Sequence, residues 1–202
     1  PDPLLQLYDS TGAVIQTNDD WEETQKQDII DTGLEPTDVR ESVIVATLDP
    51  GSYTAIVQGA AGGSGIALVE VYDLDPDTGE LANISTRARV EVGDKVLIGG
   101  FIVGAPQTQK LVIRAIGPSL GVPGALSDPT LEVYNSNGTL MQSNDNYAVT
   151  TAVAVIGQYG LYPRDTRESA IYFESAPGSF TTIVRSANGS AGIALVEIYG
   201  VE

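Results

Sequence analysis

Short apolar and β-branched runs alternate along the whole chain with turns rich in Gly, Pro, Asn and Asp. Leu4 to Tyr8 is ended by the turn Asp9 to Gly12, and Ala13 to Thr17 follows as the second arm of a hairpin. Helical patterning is confined to a turn or two in Glu22 to Thr32 and in its counterpart, Ala148 to Tyr159. The pattern therefore predicts an all-β chain of antiparallel, jelly-roll-like β-sandwiches with short helical insertions.

This pattern occurs twice. Asp2 to Gly12 returns as Asp128 to Gly138, and the string Gly65 to Glu70 returns unchanged as Gly192 to Glu197. Between these markers both copies keep one order of hairpin, helical insertion, strand, Pro-Gly turn and final strand. A repeat that keeps its internal order indicates two copies of one structural module.

The copies are separated by a segment that occurs once and has the pattern of three strands between residues 87 and 116. We predict a partial module over 1–73 that lacks its first two or three strands, an acidic linker over 74–83, and a complete β-sandwich module over 84–202. A sandwich without its first strands has an open sheet edge, which proteins rarely leave uncovered.

Three arrangements would close that edge. The missing strands lie upstream in a longer precursor, or a neighbouring subunit supplies them by strand addition, or residues 1–73 close on their own as a smaller sandwich. Supply by a neighbour predicts a head-to-tail homopolymer, because such an interface does not close on itself.

The composition excludes several classes of function. The chain has no His and no Cys, so it cannot carry Ser-His-Asp or Cys-His catalysis, disulfides or zinc-cysteine sites. We see no arrangement of paired carboxylates or lysines that suits catalysis, and we predict that the protein is not an enzyme. The net charge of −17 disfavours a nucleic-acid partner. No apolar run approaches the ~20 residues that cross a bilayer, so no transmembrane segment is predicted.

The acidic residues suggest one cofactor, Ca²⁺, although none is required. Seventeen of the 27 acidic residues but only two of the ten basic residues precede Ser85. Carboxylate and carbonyl oxygens suit calcium, and the candidate ligands are Asp73, Asp75 and Asp77 in the linker and Asn18, Asp19, Asp20, Asn144 and Asp145 after the hairpins. The linker departs from the EF-hand pattern, and Asx residues also cap turns, so a solvated linker and structural caps stay open as alternatives.

Two further sets of residues have simple structural explanations. Arg40 with Glu41, and Arg167 with Glu168, repeat at a strand start and predict ion pairs or a brace on the backbone. Three asparagines, Asn83, Asn137 and Asn188, match the N-glycosylation pattern. Asn137 and Asn188 precede glycine, and hairpin turns explain these two equally well.

Three strings in the second half carry a family resemblance: Leu81 to Arg87, Val96 to Ile102 and Ile113 to Leu120. They resemble a tandem module of large secreted and surface proteins of bacteria such as the Verrucomicrobia. The hairpin, Asn-Asp and Pro-Gly-Ser-Tyr series is more distantly similar to the bacterial pre-peptidase C-terminal domain, a β-sandwich appended to secreted enzymes.

These resemblances imply a protein located outside the cell or on its surface, and they supply no catalytic residues. They imply a structural repeat that builds a filament, stalk or surface layer, with other copies of itself as partners. The alternative is an adhesion or carbohydrate-binding module of a larger secreted protein, with a surface glycan as its partner.

Overall fold

The computed structural model describes residues 2–74, 82–104 and 108–201. The chain forms two compact units, Pro1–Glu80 and Leu81–Glu202. Eleven strands in three antiparallel sheets and two short α-helices make up the described part. The prediction of an all-β fold with short helical insertions is confirmed. Over the same residues, no helix is long and apolar enough to cross a membrane.

The first unit contains one sheet of three strands in the order β2-β1-β3. Its elements are β1 (Pro3–Tyr8), β2 (Val14–Asn18), α1 (Lys26–Thr32) and β3 (Thr54–Gly59). The predicted hairpin is β1-β2, and α1 ends where Gly33 adopts φ 70° and donates its N–H to Ile30 O. A left-handed residue there favours glycine, as the sequence predicts.

The second unit contains eight strands in two four-stranded sheets. The chain order is β4 (Asn83–Val90), β5 (Leu97–Val103), β6 (Gln109–Ile116), β7 (Pro129–Asn135), β8 (Leu140–Asn144), α2 (Val153–Gln158), β9 (Ser169–Ser175), β10 (Gly178–Ser186) and β11 (Gly192–Val201). The sheets run β5-β10-β7-β8 and β4-β11-β6-β9. This interleaving of consecutive strands between two sheets is the jelly-roll arrangement.

The core of the second unit lies between its two sheets. Alternate residues of each strand point inward, as the period of two requires. The buried side chains there include Ile113, Leu131, Val133, Val184 and Val196, with Phe101, Phe173 and Phe180 in mutual ring contact. Val112 points to the opposite face of β6 and packs with Ile156 and Ala170. The first strand of this unit lies further toward the N-terminus than its predicted start at residue 87, because β11 pairs with it from Val90 to Asn83.

The repeat shows which strands the first unit contains. By sequence, β1, β2 and β3 correspond to β7, β8 and β10, which are neighbours in one sheet of the second unit. Residues 42–48 correspond to β9 and residues 65–72 to β11, yet neither segment is a strand. In the second unit β6 lies between β9 and β11. Without a strand in the position of β6, the two segments have no common neighbour.

Candidate functional site

An asparagine corner joins the hairpin to the next segment in both units. In the first unit Asn18 is buried, and its Oδ1 accepts the N–H of Val43 at 2.8 Å while its Nδ2 donates to Asp20 O at 3.0 Å. The hydroxyl of Ser42 donates to Asp19 O at 2.7 Å and also to Pro3 O. These contacts fix the start of segment 42–48 against the hairpin.

The second unit repeats the corner almost atom for atom. Asn144 Oδ1 accepts the N–H of Ala170 at 3.0 Å, and its Nδ2 donates to Asn146 O at 3.2 Å. Ser169 Oγ donates to Asp145 O and Pro129 O, each at 2.6 Å. The amide of each asparagine is thus engaged with the protein backbone.

The predicted calcium ligands do not form a carboxylate cluster in the described residues. Within 2–74, 82–104 and 108–201, no three Asp or Glu side chains gather as a metal site would require. Asp19 Oδ1 is buried and has no hydrogen-bond partner among these residues, whereas Asp73 is exposed. Asp75 and Asp77 lie outside the described residues, so the linker prediction stays a prediction.

The structure assigns different partners to the repeated Arg-Glu pairs. Arg40 forms its ion pair with Asp38 at 2.7 Å, and Arg167 forms the equivalent pair with Asp165 at 2.8 Å. The hydrogen-bonded arginine lowers the pKa of each aspartate to about 2. Three of the four side chains are more than 40% exposed and Asp165 is 27% exposed, so these pairs act as local braces with little net energy.

Glu168 is a fully buried brace on the turn that follows β6. Its Oε1 accepts the N–H groups of Gly117 at 3.0 Å and Ser119 at 2.8 Å, and Ser119 Oγ donates to both carboxylate oxygens. Its Oε2 also accepts the N–H of Asp165 at 3.2 Å. This set of donors satisfies a carboxylate that burial would otherwise penalise.

A second cluster joins β6 to β11. Arg114 donates through Nε to Glu197 Oε2 at 3.0 Å and through Nη2 to Tyr199 Oη at 3.0 Å. Tyr199 Oη donates in turn to Glu197 Oε1 at 2.7 Å. Burial, followed by the bond to Glu197, raises the pKa of the Tyr199 phenol. The arginine and glutamate side chains are only 15% and 12% exposed, so this pair is largely shielded from solvent.

The Arg114 cluster was not among the residues singled out in the sequence. Arg114, Ser119 and Glu197 line a shallow pocket of about 280 Å³. The available signal was that Glu70 and Glu197 repeat as the last residue of the identical string, while Arg114 lies in the segment that occurs once. Only the pairing of β6 with β11 places Arg114 opposite Glu197.

The first unit has counterparts of the glutamates in the Glu168 brace and in the Arg114 cluster, and these counterparts have different surroundings. Glu41 corresponds to Glu168 and Glu70 to Glu197. Tyr72 Oη still donates to Glu70 Oε1 at 3.1 Å, which raises the pKa of the Tyr72 phenol. Glu41 and Glu70 are exposed, and neither forms an ion pair with any described residue.

The unpaired segments, as we call residues 42–48 and 65–72, are less covered than their counterparts β9 and β11, since residues 65–72 are exposed throughout and residues 42–45 are half-buried. Ile66 is 99% and Leu68 81% exposed. Val69 is 44% exposed, whereas its counterpart Val196 is 1% exposed. The exposed side chains are apolar and lie next to each other in sequence, which is typical of an interaction surface. These segments are the candidate functional site of the chain.

Two of the three predicted glycosylation positions, Asn83 and Asn188, form side-chain hydrogen bonds. Asn137 and Asn188 lie in exposed turns, where Asn188 Oδ1 accepts the N–H of Ser190 at 3.0 Å. Asn83 Nδ2 donates to Ile198 O at 3.1 Å at the start of β4. These contacts do not test glycan attachment, which stays a prediction.

Comparisons with known proteins give a distant structural neighbour. No protein-family model matches the chain, and no curated protein matches it. Among solved structures, it is similar to the pre-peptidase C-terminal domain of a collagenase from Bacillus anthracis, with 11% identity, a TM-score of 0.38, and coverage of 57% of this chain and 88% of that one. Similarity at this level carries no argument about function. The resemblance to a Verrucomicrobia-type module finds no support in these comparisons.

Proposed function

We propose that this chain is an extracellular structural repeat protein, a subunit of a filament, stalk or surface layer, assembled by strand addition between subunits. The observation that carries the proposal is the unpaired state of segments 42–48 and 65–72, whose counterparts β9 and β11 lie in a sheet. Segments of strand-like sequence that have no neighbouring strand can pair through their backbone with a strand of another chain.

The remaining chemistry supports a structural protein rather than an enzyme. The chain has no His and no Cys. Its largely buried charged groups, Glu168 and the Arg114–Glu197 pair, are saturated by contacts that fasten strands and turns to each other. We therefore assign them positioning roles within the sandwich. An acidic surface without thiols fits a location outside the cell.

Light scattering and electron microscopy of the purified chain over a range of concentrations test the assembly. We expect concentration-dependent association into elongated particles. Val69→Asp should abolish it, because a charge at the position of the buried Val196 opposes apolar packing, and Ile102→Asp on β5, also exposed, serves as the matched control. A chain that stays a compact monomer at every concentration contradicts the filament. Binding to a glycan array by such a monomer favours an adhesion or carbohydrate-binding module instead.

Calcium is a separate part of the proposal, with Asp19 as the leading ligand because its buried Oδ1 accepts no hydrogen bond from the described residues. Bound Ca²⁺ should raise the melting temperature by mass action, and a chelator should lower it. Asp19→Asn should remove the response, whereas Asp145→Asn reports on the equivalent corner. Unchanged melting with calcium and chelator removes the metal from the proposal.

A further inference from the structure

The first unit lacks a partner whose chemistry the second unit reveals. In the second unit β6 pairs with β11 on one side and with β9 on the other. Ile113 lies opposite both Ile198 and Ile171, and Arg114 lies opposite Glu197. The repeat carries these positions to the first unit, where Val71, Ile44 and Glu70 would face the same strand.

We call the position between the two unpaired segments, which a strand like β6 would occupy, the slot. Contacts within the first unit already fix one side of it. The corner contacts of Ser42 and Val43 reproduce those of Ser169 and Ala170. The side chain of Gln25 adds a second support, since its Nε2 donates to Val45 O at 2.7 Å and its Oε1 accepts the N–H of Val45 at 3.2 Å. Backbone groups of alternate residues in a strand point to opposite edges. Once this segment is a strand, Ile44 therefore directs its backbone groups away from these contacts and toward the slot.

The carboxylates identify the missing groups. Glu197 binds the Arg114 guanidinium, and Glu168 binds the N–H groups of Gly117 and Ser119. Their counterparts Glu70 and Glu41 have neither kind of partner among the described residues. The first unit cannot supply a spare arginine from its own sequence. Its basic residues before Ser85 are Lys26 and Arg40, which pair with Glu22 and Asp38.

We propose that the first unit binds a three-stranded segment of the β4–β6 type that ends in Arg-x-x-Gly-x-Ser, as residues 114–119 do. The last strand lies between the unpaired segments, antiparallel to both. Its arginine binds Glu70 and Tyr72, and the N–H groups of its glycine and serine bind Glu41. The apolar residues of the inserted strands cover Val69 and Val71.

The partner that supplies this segment is a neighbouring module of the assembly. Residues 1–202 contain one segment of this type, and it is already paired with β9, β10 and β11. A copy that donated it would leave its own second unit open, so the segment comes from a module other than residues 81–202, and association of the purified chain alone rests on its exposed apolar segment 65–72. The inference rests on the proposed function and deepens it, because it names the strands that complete the first unit.

A chain extended by its own segment tests the proposal directly. Residues 83–127 are placed before Asp2, which reproduces the connection that leads into Asp128 in the second unit. The added residues contain no Trp and no Tyr, and the single Trp of the chain, Trp21, lies buried in the first unit beside the slot. The backbone N–H of Trp21 donates to the backbone O of Glu41 at 2.8 Å. Fluorescence excited at the indole therefore reports on the first unit alone.

We expect amide exchange at residues 66–71 to slow by roughly 100-fold or more, as paired strands do, and the Trp21 unfolding transition to move to higher temperature. Arg→Gln at the added position equivalent to Arg114 should remove part of this increase in melting temperature. Glu70→Gln should remove a similar part, and the two substitutions together should remove no more than either one alone. Exchange in β11 should stay unchanged, which shows that the added segment has not displaced the resident one. Exchange at 66–71 that matches the unextended chain overturns the proposal.

A second form of the test removes dependence on the folding of the extended chain. A peptide with the sequence of residues 109–120, which also lacks Trp and Tyr, is titrated against the full chain while Trp21 fluorescence is recorded. A saturable change that is weakened by Arg→Gln in the peptide supports the proposal, and no change at any peptide concentration counts against it. Association of the unextended chain is measured separately by light scattering. If the extended chain shows slowed exchange at residues 66–71 but the unextended chain stays monomeric, only the filament proposal is rejected. If the unextended chain associates but the extended chain shows no slowed exchange, only the assignment of the missing strands is rejected.

Discussion

The two copies of Gly-Ile-Ala-Leu-Val-Glu offer a comparison within one chain. At residues 192–197 the string is the start of β11, which pairs with β4 on one side and, from Leu195 onward, with β6 on the other, with Ala194 and Val196 buried. At residues 65–70 the same string forms no strand, and Ile66 and Leu68 are exposed. The sequence of the segment is constant, so the difference comes from its neighbours. The hydrogen bonds of a β-strand are made to neighbouring strands, so the segment needs such neighbours to become one.

The corner shows the opposite behaviour. The Asn-Asp turn, the Ser hydroxyl and the Arg-Asp pair have matching contacts in both units. All of these contacts join residues that both copies contain. Local and intra-module contacts therefore survive the loss of strands, whereas the sheet that needs β4 and β6 does not form.

The largest predicted contrast is between Val196→Asp and Val69→Asp. The first places an unpaired charge at a buried position and should reduce the free energy of unfolding by about 4 kcal/mol or more. The second affects a side chain that is 44% exposed and should cost less than about 1 kcal/mol. Urea denaturation followed by circular dichroism measures both. Equal losses would show that segment 65–72 is buried in solution, as β11 is.

The next contrast is between the two braces. Glu168→Ala leaves the N–H groups of Gly117 and Ser119 without their acceptor and should cost about 3 kcal/mol, since each orphaned buried donor costs ~1–3 kcal/mol. Glu41→Ala removes an exposed side chain and should change stability by less than about 0.5 kcal/mol. The same denaturation experiment decides this, with amide exchange at Gly117 and Ser119 as a local reading. A large effect of Glu41→Ala would mean that its slot is already occupied.

A smaller contrast concerns the glutamates of the identical strings. Glu197→Gln weakens a largely shielded pair with Arg114 and should cost about 2 kcal/mol, below the ~3–5 kcal/mol of breaking a fully buried pair. Glu70→Gln should be close to neutral. Arg114→Gln combined with Glu197→Gln should cost less than the sum of the single changes, and additivity would contradict the coupling seen in the structure.

The smallest effect should be the same in both units, which makes it a control for the others. The pKa of Asp165 is lowered from 3.8 to about 2 by Arg167, and that of Asp38 is lowered to about 2 by Arg40. A folded-state pKa below the unfolded value stabilises the fold above the unfolded pKa, and this contribution disappears as the pH falls from about 4 toward 2. Solvent screening keeps it small. Asp165→Asn and Asp38→Asn should each slightly reduce the fall of the urea denaturation midpoint between about pH 4 and pH 2, and to a similar extent. A large reduction for only one of them would contradict the equivalence of the two corners.

Several features follow from the sequence because they depend on near neighbours or on pattern. Alternating apolar runs predict the β-strands, and the repeat predicts matching corners at Asn18 and Asn144. Gly33 predicts the end of α1, because glycine readily adopts the positive φ that ends many helices. The absence of His and Cys excludes whole classes of catalysis without any coordinates. In each case the physical cause lies within the segment itself or within one module.

The tertiary structure alone decided which polar residues act together and which strands form. Arg114 meets Glu197 across 83 residues of sequence, and Glu168 reaches a turn 51 residues away, so neither partner is visible in local spacing. The sequence analysis therefore placed Arg167 and Glu168 together, whereas the fold gives each a separate partner. The same principle separates the two identical strings. Hydrogen bonds of a β-strand are made to other strands, and a segment with the first six residues of β11 becomes a strand only where β4 and β6 are present beside it.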